Sequence, residues 1–498
     1  MSNIREIARE KAAFYREAIL KYQCMKKPCL IMFAVYMVGM FAILKSDFNY
    51  RDDLRRILSG KQGWGSSYGR YLSDFFSNII HTDSYMMDIS PLPQMIAGAI
   101  LAVSAIILWY LISDKKKFSV WDVAALLPLG LSPYFLACLS YKFDAPYMAL
   151  SILGSVMPLL FAKKGYLVYG ATAFVGSLVM CMTYQAASGV FPILVILICV
   201  KRWNEKEELK QIFKFIGTSV AGYLAGLLVY KLFLMPTRKT YVSNELPSIN
   251  QIIPTTISNL QKYFEHIAED FKLEWLILVF FLCIGFVFVM VRDSKQKKHI
   301  AFLISCVALG LMLVLAFGIY PVLEEPLYHP RAMYGFGVLL AGLGISVSTA
   351  KKGYPVKMVC LALSWCFFVF SFTYGNALTI QGDYIEFRSR EILDDLKDLD
   401  IMMSKQQVII QVDGSIRYAP AIRRMPEDYK ILERLMPTVY KNGNWGLNMF
   451  RYYGLNSKKA AWNRPVVEDF KNYNLPVLKE TMFHKISGNE KYVLIEMK

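Results

Sequence analysis

The densest group of ionisable residues in this 498-residue chain directly follows its first apolar segment. Its members are three aspartates and three arginines: Asp47, Arg51, Asp52, Asp53, Arg55 and Arg56. On a helix, Asp52 would neighbour Arg55 and Arg56 at the i+3 and i+4 positions, so one interpretation is a solvated helix with surface ion pairs. The other interpretation is chemical. Adjacent carboxylates can deprotonate a hydroxyl group, and neighbouring guanidinium groups can neutralise a phosphate.

A glycine-rich segment at 63–69, with the sequence GWGSSYG, follows this cluster and precedes Arg70. It misses the GxGxxG dinucleotide-binding pattern by one residue and follows no predicted strand, and the chain contains no Walker A sequence. We interpret the segment as a flexible turn. Trp64 and Tyr68 would then anchor the chain at a membrane interface or stack on a sugar.

The composition indicates a membrane protein, because 55% of the residues are hydrophobic and the mean hydropathy is +0.34. The net charge of +17 could suggest nucleic acid as a partner. However, the basic residues are spread between apolar segments rather than gathered in one domain, which argues against nucleic-acid binding. The nine cysteines lie in or near the apolar part and form no CxxC pair, so neither a disulfide framework nor a cysteine metal site is indicated.

Eleven apolar segments are candidates for transmembrane helices, since about 18 or more apolar residues suffice to cross the hydrocarbon core. They cover residues 28–45, 91–113, 119–138, 145–162, 166–183, 186–200, 212–235, 273–291, 300–320, 331–350 and 355–377.

Lysine and arginine mark one set of connections between these segments. The Lys/Arg-rich connections are 114–117, 163–165, 201–211, 292–298 and 351–354. By the positive-inside rule these connections are cytoplasmic. The segment 1–27 is then cytoplasmic as well, and we interpret it as an amphipathic helix rather than a signal peptide. The exterior side then holds the connections 46–90, 139–144, 183–188, 236–272 and 320–331, together with residues 378–498.

Residues 378–498 have the pattern of a small α/β domain. Apolar residues at helical spacing predict a helix at 384–403 and a second one at about 420–435. Strands are predicted at 406–412 and 492–497, and an aromatic stretch lies at 445–453. The predicted fold is therefore an all-α polytopic membrane domain at 28–377, including the exterior loop 46–90, followed by a C-terminal α/β domain.

The other exterior connections add candidate site residues. Tyr141, Lys142 and Asp144 lie on one tip, Tyr184 and Gln185 on the next, and His329 and Arg331 at the start of a late segment. Arg331 could simply extend to the interface, as long basic side chains at helix ends do. The five histidines show no ligand spacing, so no metal site is predicted.

Several of these residues carry a resemblance to a family. The motifs are Arg51-Asp52-Asp53, Gly63-Trp64, Gly69-Arg70, Asp88-Ile89-Ser90-Pro91-Leu92-Pro93-Gln94, Leu131-Ser132-Pro133-Tyr134-Phe135, Leu139-Ser140-Tyr141-Lys142-Phe143-Asp144, Thr183-Tyr184-Gln185 and Pro330-Arg331-Ala332-Met333-Tyr334-Gly335. In this order and at these exterior ends, they resemble the bacterial O-antigen glucosyltransferases of the serotype-conversion type.

The resemblance implies a GT-C membrane glycosyltransferase in the bacterial inner membrane. Such an enzyme takes a sugar, here glucose, from undecaprenyl phosphate and transfers it on the periplasmic face to lipid-linked O-antigen, a lipopolysaccharide precursor, or to a related surface glycan. Its partners would be membrane lipid, the lipid-linked donor and a lipid-linked polysaccharide acceptor, with no cofactor. Asp52 and Asp53 match the family's essential acidic residues. Lys142 stands where the family often has arginine, and lysine lacks the bidentate geometry of arginine towards phosphate.

The expected chemistry is an inverting displacement with Asp52 or Asp53 as the base. Arg331 and Lys142, together with Arg55, Arg56 or Arg70, would bind the donor phosphate. The side chains expected to contact sugars are Tyr141, Asp144, Tyr184, Gln185 and His329.

Two alternatives belong to other classes. A transporter or flippase of a lipid-linked glycan would place ionisable residues near the middle of its spans, where this chain has almost none. A structural assembly factor would use its C-terminal domain to bind a partner. The aromatic residues of that domain, Trp445, Tyr452, Tyr453 and Trp462, could hold a glycan or pack in its core.

Overall fold

The computed structural model describes residues 25–113, 117–236, 245–350, 353–401, 408–439, 447–455, 457–459, 470 and 472–498. The predicted amphipathic helix at 1–27 lies outside the described residues except for its last three positions, which begin the first helix.

The described residues before 400 contain helices joined by loops. In chain order they are α1 Met25–Ser46, α2 Asp53–Ser59, α3 Trp64–Tyr68, α4 Tyr71–His81, α5 Leu92–Ile112, α6 Val120–Leu131, α7 Pro133–Leu139, α8 Ala145–Val156, α9 Tyr166–Thr183, α10 Val190–Asn204, α11 Leu209–Val229, α12 Ile252–Asp270, α13 Leu273–Asp293, α14 Lys298–Leu315, α15 Gly335–Ser348 and α16 Tyr354–Asp398.

Within the described residues, eight helices are long and apolar enough to span a membrane, and up to nine if the bent pair α6 and α7 is one span. These two helices meet at an angle of 58° because Ser132 is extended in front of Pro133. Two further predicted spans correspond to shorter apolar helices, at Ala145–Phe161 and Gly335–Ser348. Length and composition therefore confirm a polytopic membrane protein but do not confirm the predicted count of eleven spans.

The predicted exterior connections meet at one end of the helices. Arg56 of α2 bonds Asp144 before α8 at 3.2 Å, and Arg70 bonds Gln185 after α9 at 3.0 Å. Two of the predicted cytoplasmic connections also meet one another, since the backbone N–H of Lys295 bonds the carbonyl oxygen of Asn204 at 2.9 Å. Each of these contacts joins connections that the sequence pattern assigns to the same side.

The longest helix, α16, runs without a break from Tyr354 to Asp398. At 1.5 Å per residue its 45 residues extend about 68 Å, more than twice the hydrocarbon thickness of a bilayer. The last predicted span and the predicted helix at 384–403 are therefore one element. The membrane part and the C-terminal domain share it.

The C-terminal domain contains a five-stranded mixed sheet. Its strands are β1 Val408–Asp413, β2 Ser457–Lys459, β3 Val477–Glu480, β4 His484–Gly488 and β5 Tyr492–Met497, in the spatial order β2-β1-β5-β4-β3. Strand β1 pairs in parallel with β2 and β5, whereas β3, β4 and β5 are antiparallel. The predicted strands at 406–412 and 492–497 correspond to β1 and β5.

The prediction of one continuous helix at 420–435 is wrong. The structure has a 3-10 turn at Pro420–Ile422 and two short helices, α17 Met425–Asp428 and α18 Ile431–Leu435. Pro426 has no N–H to continue a helix from the preceding turn, so the chain must restart there. A last short helix, α19 Leu447–Tyr452, lies in the predicted aromatic stretch.

Two apolar cores hold these parts together. The buried face of α16 after residue 384, which includes Ile385 and Ile392, packs with the inner side chains of β1, β4 and β5. The apolar side chains of α18 belong instead to the large core of the membrane part. The segment carrying α18 therefore packs against the helices rather than against the sheet.

Candidate active site

The loop between α1 and α2 is fixed by the carboxylate of Asp53, which begins α2 and is fully buried. Its Oδ2 accepts hydrogen bonds from the backbone N–H groups of Tyr50 at 2.9 Å and Lys142 at 3.2 Å. Its Oδ1 is buried with no hydrogen-bond partner among the described residues. Burial raises the pKa of Asp53 well above its usual range, and the nearby Asp144 raises it further.

Asp52 occupies a different environment from its neighbour. Its side chain is 23% exposed and lies 3.9 Å from Arg55, whose side chain is 56% exposed. Asp52 is also close enough to Asp144 and Arg331 to influence their titration. Of the two adjacent carboxylates, Asp52 is therefore the one that a substrate can reach, and Arg55 points to solvent.

Asp144 is held by Arg56 and Trp64 in a buried cluster. Its Oδ1 accepts from Arg56 Nη2 at 3.2 Å and from the indole N–H of Trp64, and the Arg56 guanidinium lies 4.0 Å from the Trp64 ring centroid. Its Oδ2 is buried without a partner among the described residues. Burial raises the pKa of Asp144 although Arg56 opposes the shift. Arg56 therefore supports the loop rather than lining an open cavity.

The glycine-rich segment forms the short helix α3 rather than a flexible turn. The N–H groups of Trp64 and Gly65 at the start of α3 bond the Asp74 carboxylate at 3.1 and 2.8 Å. The interpretation of Trp64 as an interfacial anchor or a sugar platform is wrong, because the side chain is 1% exposed and packs edge-on against Tyr147. A glycine with left-handed backbone flanks α3 at each end: Gly63 precedes the helix and Gly69 follows it.

Lys142 is buried between two carboxylates. Its Nζ lies 2.6 Å from Asp47 and 3.0 Å from Asp88. Burial is the largest single influence on the pKa of Lys142 and lowers it. The two carboxylates together outweigh burial, so the pKa is raised. The structure thus does not bring the Lys142 side chain together with Arg331.

Arg331, at the turn before α15, lies against Tyr141. Its Nη1 donates to the Tyr141 hydroxyl group, and the Tyr141 ring packs edge-on against Tyr50 with 4.9 Å between centroids. Burial, followed by the proximity of Arg51, lowers the pKa of Arg331 to about 10. Arg331 therefore remains charged at neutral pH in surroundings already rich in positive charge.

A small cavity brings Arg331 together with two further arginines. Arg51 belongs to the ionisable cluster of the sequence but was not among the expected phosphate ligands, and Arg434 was not singled out at all. Its lining consists of Tyr50, Arg51, Ala137, His329, Pro330, Arg331 and Arg434. At about 10 Å³ the cavity holds no more than a water molecule, so a phosphate group would lie at its opening.

The two additional arginines reach the cavity from distant parts of the chain. Arg51 has a left-handed backbone with φ of 47°, which a non-glycine residue rarely adopts, and its Nη2 bonds the Arg434 carbonyl oxygen at 3.3 Å. Arg434 of α18 pairs with Asp270 at the end of α12 and donates to the Tyr328 carbonyl oxygen. In the sequence, Arg434 lies in a short helical turn next to Glu433, and nothing in this local pattern indicates a site residue.

His329 lies at the exposed rim of this cavity. Desolvation and the nearby Arg51 and Arg434 lower the pKa of His329 to about 4. The imidazole is therefore neutral at physiological pH. In this state it can donate or accept a hydrogen bond to a sugar without adding to the positive charge.

Arg70, Tyr184 and Gln185 form a second cluster at this end of the molecule. The Arg70 guanidinium lies 4.3 Å from the Tyr184 ring centroid and its Nε donates to Gln185 at 3.0 Å. The Gln185 amide nitrogen in turn donates to the Tyr68 carbonyl oxygen at 3.0 Å and to the Tyr230 hydroxyl group at 2.7 Å. Gln185 thereby connects the first loop with α9 and α11.

The arrangement suits acid–base chemistry beside an anion. It combines an accessible carboxylate, a buried one, and at least three guanidinium groups from separate elements. Among the described residues, no group of three or more histidine, cysteine, aspartate or glutamate side chains is placed to hold a metal ion.

Comparisons with known proteins agree with these features. Residues 41–341 match the family model described as Glucosyl transferase GtrII. Over 430 residues the chain is 25% identical to a protein of Salmonella phage P22, described as an uncharacterized 55.3 kDa protein in the gtrB 5′ region. The match covers 83% of this chain and 87% of the phage protein. No solved structure matches the chain.

The matched region includes the first exterior loop and the connections that carry Lys142, Asp144, Gln185 and Arg331, and it covers more than half of the chain. The chain therefore belongs to the GtrII glucosyl transferase family and is a membrane glycosyltransferase.

Proposed function

We propose that the protein transfers glucose from undecaprenyl phosphate to lipid-linked O-antigen, or to a related surface glycan, on the periplasmic face of the bacterial inner membrane. The observation that carries the proposal is the convergence of Asp52 with Arg51, Arg331 and Arg434 at one end of the membrane helices. The family's description as a glucosyl transferase supports glucose as the sugar. This reaction would modify the surface polysaccharide, as in serotype conversion.

The position of the site at the ends of the membrane helices is consistent with a lipid-linked donor. Two amides at the helix start of the glycine-rich segment, those of Trp64 and Gly65, are already bonded to the Asp74 carboxylate, which disfavours a nucleotide phosphate there. A donor carried by a polyprenyl chain needs no nucleotide-binding fold, since its lipid holds it in the membrane. The arginines at the ends of the helices lie where the phosphate of such a donor would emerge.

The reaction is a single displacement at the anomeric carbon. The oxygen of an acceptor hydroxyl group forms the new bond to C1, and the bond from C1 to the phosphate oxygen breaks. The acceptor proton passes to the Asp52 carboxylate, and the bonding electrons leave with the polyprenyl phosphate. The configuration at C1 is inverted. The leaving phosphate is stable as an anion, so no strong general acid is needed.

Asp52 is the better candidate for the base, because Asp53 is fully buried and its Oδ2 is engaged by two backbone amides. Asp53 is then a positioning residue that connects the first loop to the Lys142 tip. Arg331 and Arg51 stabilise the charge that develops on the departing phosphate. His329, which lines the arginine-rich cavity, is proposed to contact the donor sugar. Tyr141 is 1% exposed, so its proposed role is to position Arg331 through its hydroxyl group.

Transfer by purified protein tests the proposal against the transporter alternative. The full chain is reconstituted in vesicles with undecaprenyl phosphate carrying radiolabelled glucose and with lipid-linked O-antigen from a strain that lacks this protein. We expect the label to move to the O-antigen while undecaprenyl phosphate is released. Movement of the intact donor across the bilayer, without transfer, would instead support a flippase.

A further inference from the structure

A second cavity lies beside the first exterior loop, separate from the arginine-lined one. It has a volume of about 150 Å³, which accommodates several water molecules or one ring-sized group. Its polar and aromatic lining comes from the end of α1 and the loop after it, the start of α5 with the residue Ser90 before it, and the tip before α8. It includes Ser46, Asp47, Phe48, Gln94, Ser140 and Lys142.

The charge around this cavity disfavours an anion. Lys142 is its one cationic lining residue, and Lys142 is already paired with Asp47 at 2.6 Å and with Asp88 at 3.0 Å. One cation with two carboxylates leaves a net negative charge. The Asp47 side chain is 74% exposed, so its carboxylate remains open to hydrogen-bond donors. A neutral ligand rich in hydroxyl groups fits these surroundings better than a phosphate does.

Gln94 gives this cavity an unfilled hydrogen-bonding position. Its side chain is 5% exposed, and its Oε1 is buried with no hydrogen-bond partner among the described residues. A buried acceptor without a partner is costly, so a donor from a ligand would be strongly favoured there. Phe48 adds an aromatic surface of the kind on which sugar rings pack.

The same loop contributes to both cavities. Residues 46–48 line this one, whereas Tyr50 and Arg51 line the arginine-rich one, and Asp52 and Asp53 follow directly. Lys142 also connects the two regions, since its side chain lines this cavity while its backbone N–H bonds Asp53 at 3.2 Å. A ligand in this cavity therefore lies along the same loop as the proposed base, Asp52, and next to the tip that Asp53 holds.

We propose that this cavity is the subsite for a sugar residue of the acceptor, with Gln94 and Asp47 accepting hydrogen bonds from its hydroxyl groups. The inference rests on the proposed glycosyl transfer and adds to it a separate place for each substrate. The donor phosphate lies at the three arginines, and the acceptor saccharide lies on the opposite side of Tyr50 along the same loop.

Steady-state kinetics with both substrates varied tests this assignment. The Gln94→Met variant keeps the length of the side chain and removes its amide. We expect its KM for lipid-linked O-antigen to rise about tenfold, as for the loss of one buried hydrogen bond, while its KM for undecaprenyl-phosphate glucose stays unchanged. Gln261→Met, which removes an exposed amide on α12, is the matched control.

The outcomes separate this inference from the function on which it rests. An unchanged acceptor KM, or a rise of the donor KM alone, would overturn the acceptor subsite while leaving glycosyl transfer intact. Absence of transfer by the wild type would overturn the proposed function itself. If Gln94→Met does not fold, as judged by its thermal unfolding midpoint, Gln94→Asn provides the same comparison, because it withdraws the amide by one methylene group.

Discussion

Two adjacent aspartates show how environment, rather than residue type, assigns roles at the residue scale. Asp53 is buried and fixed by two backbone amides, whereas Asp52 is partly exposed beside Arg55. A carboxylate that must take a proton from an incoming hydroxyl group has to be reachable, so accessibility separates the two. The sequence placed both residues in the site but could not distinguish them, because the distinction depends on the Lys142 backbone 89 positions away.

Arg331 and Arg55 provide a matched pair of arginines. We expect Arg331→Ala to raise the donor KM by about ten- to a hundredfold, because a charged hydrogen bond to phosphate is lost. Arg55→Ala should leave the donor KM unchanged, since the Arg55 side chain is 56% exposed and outside the cavity. Initial rates at varied donor concentration check both. Equal effects of the two variants would remove Arg331 from the phosphate site.

At the scale of elements, the C-terminal domain contributes to the site through α18. Its apolar residues pack into the core of the membrane part, and its Arg434 reaches the cavity of Arg51 and Arg331. The ion pair of Arg434 with Asp270 connects α18 to α12, the helix in the exterior loop 236–272. This arrangement could not be predicted from the sequence, because no local pattern reveals which distant helix an arginine in a short helical turn will contact.

The Asp270 carboxyl group predicts a pH dependence of stability. Burial raises the pKa of Asp270 from 3.8 to about 6 in spite of Arg434, so the folded state binds a proton more readily than the unfolded state. The stabilisation from this group is present below pH 4 and is lost as the pH rises through about 6. It amounts to at most about 3 kcal/mol.

Thermal unfolding of the wild type and Asp270→Asn between pH 3 and 8 checks this prediction. We expect the difference between their unfolding midpoints to change across pH 4 to 6 and to be constant above pH 7. A difference that does not depend on pH in this range would contradict the assignment.

At the scale of the whole molecule, the charge pattern of the loops was the most informative property of the sequence. It grouped the connections of Asp53, Asp144, Gln185 and Arg331 on one side, and the contacts of Arg56 with Asp144 and of Arg70 with Gln185 place them together. The number of spans was harder to predict, because α6 and α7 are bent and α8 and α15 are short. Hydropathy alone cannot tell whether such segments cross the bilayer.

Reporter fusions test the side on which the site lies. Alkaline phosphatase, which is active only outside the cytoplasm, is fused after residue 498 or after residue 205. We expect activity from the first fusion and none from the second, because the Lys/Arg-rich connection at 201–211 is assigned to the cytoplasm. Activity of the second fusion alone would invert the topology and place the site on the cytoplasmic face.

The most direct test of the central claim is the turnover of Asp52→Asn in transfer from undecaprenyl-phosphate glucose to lipid-linked O-antigen. The isosteric change removes the base without changing the shape of the loop, so we expect kcat to fall by about 10² to 10⁴, with an unfolding midpoint equal to that of the wild type. Asp83→Asn, an exposed carboxylate in the same loop, should keep full activity. Full turnover by Asp52→Asn would contradict the proposed mechanism.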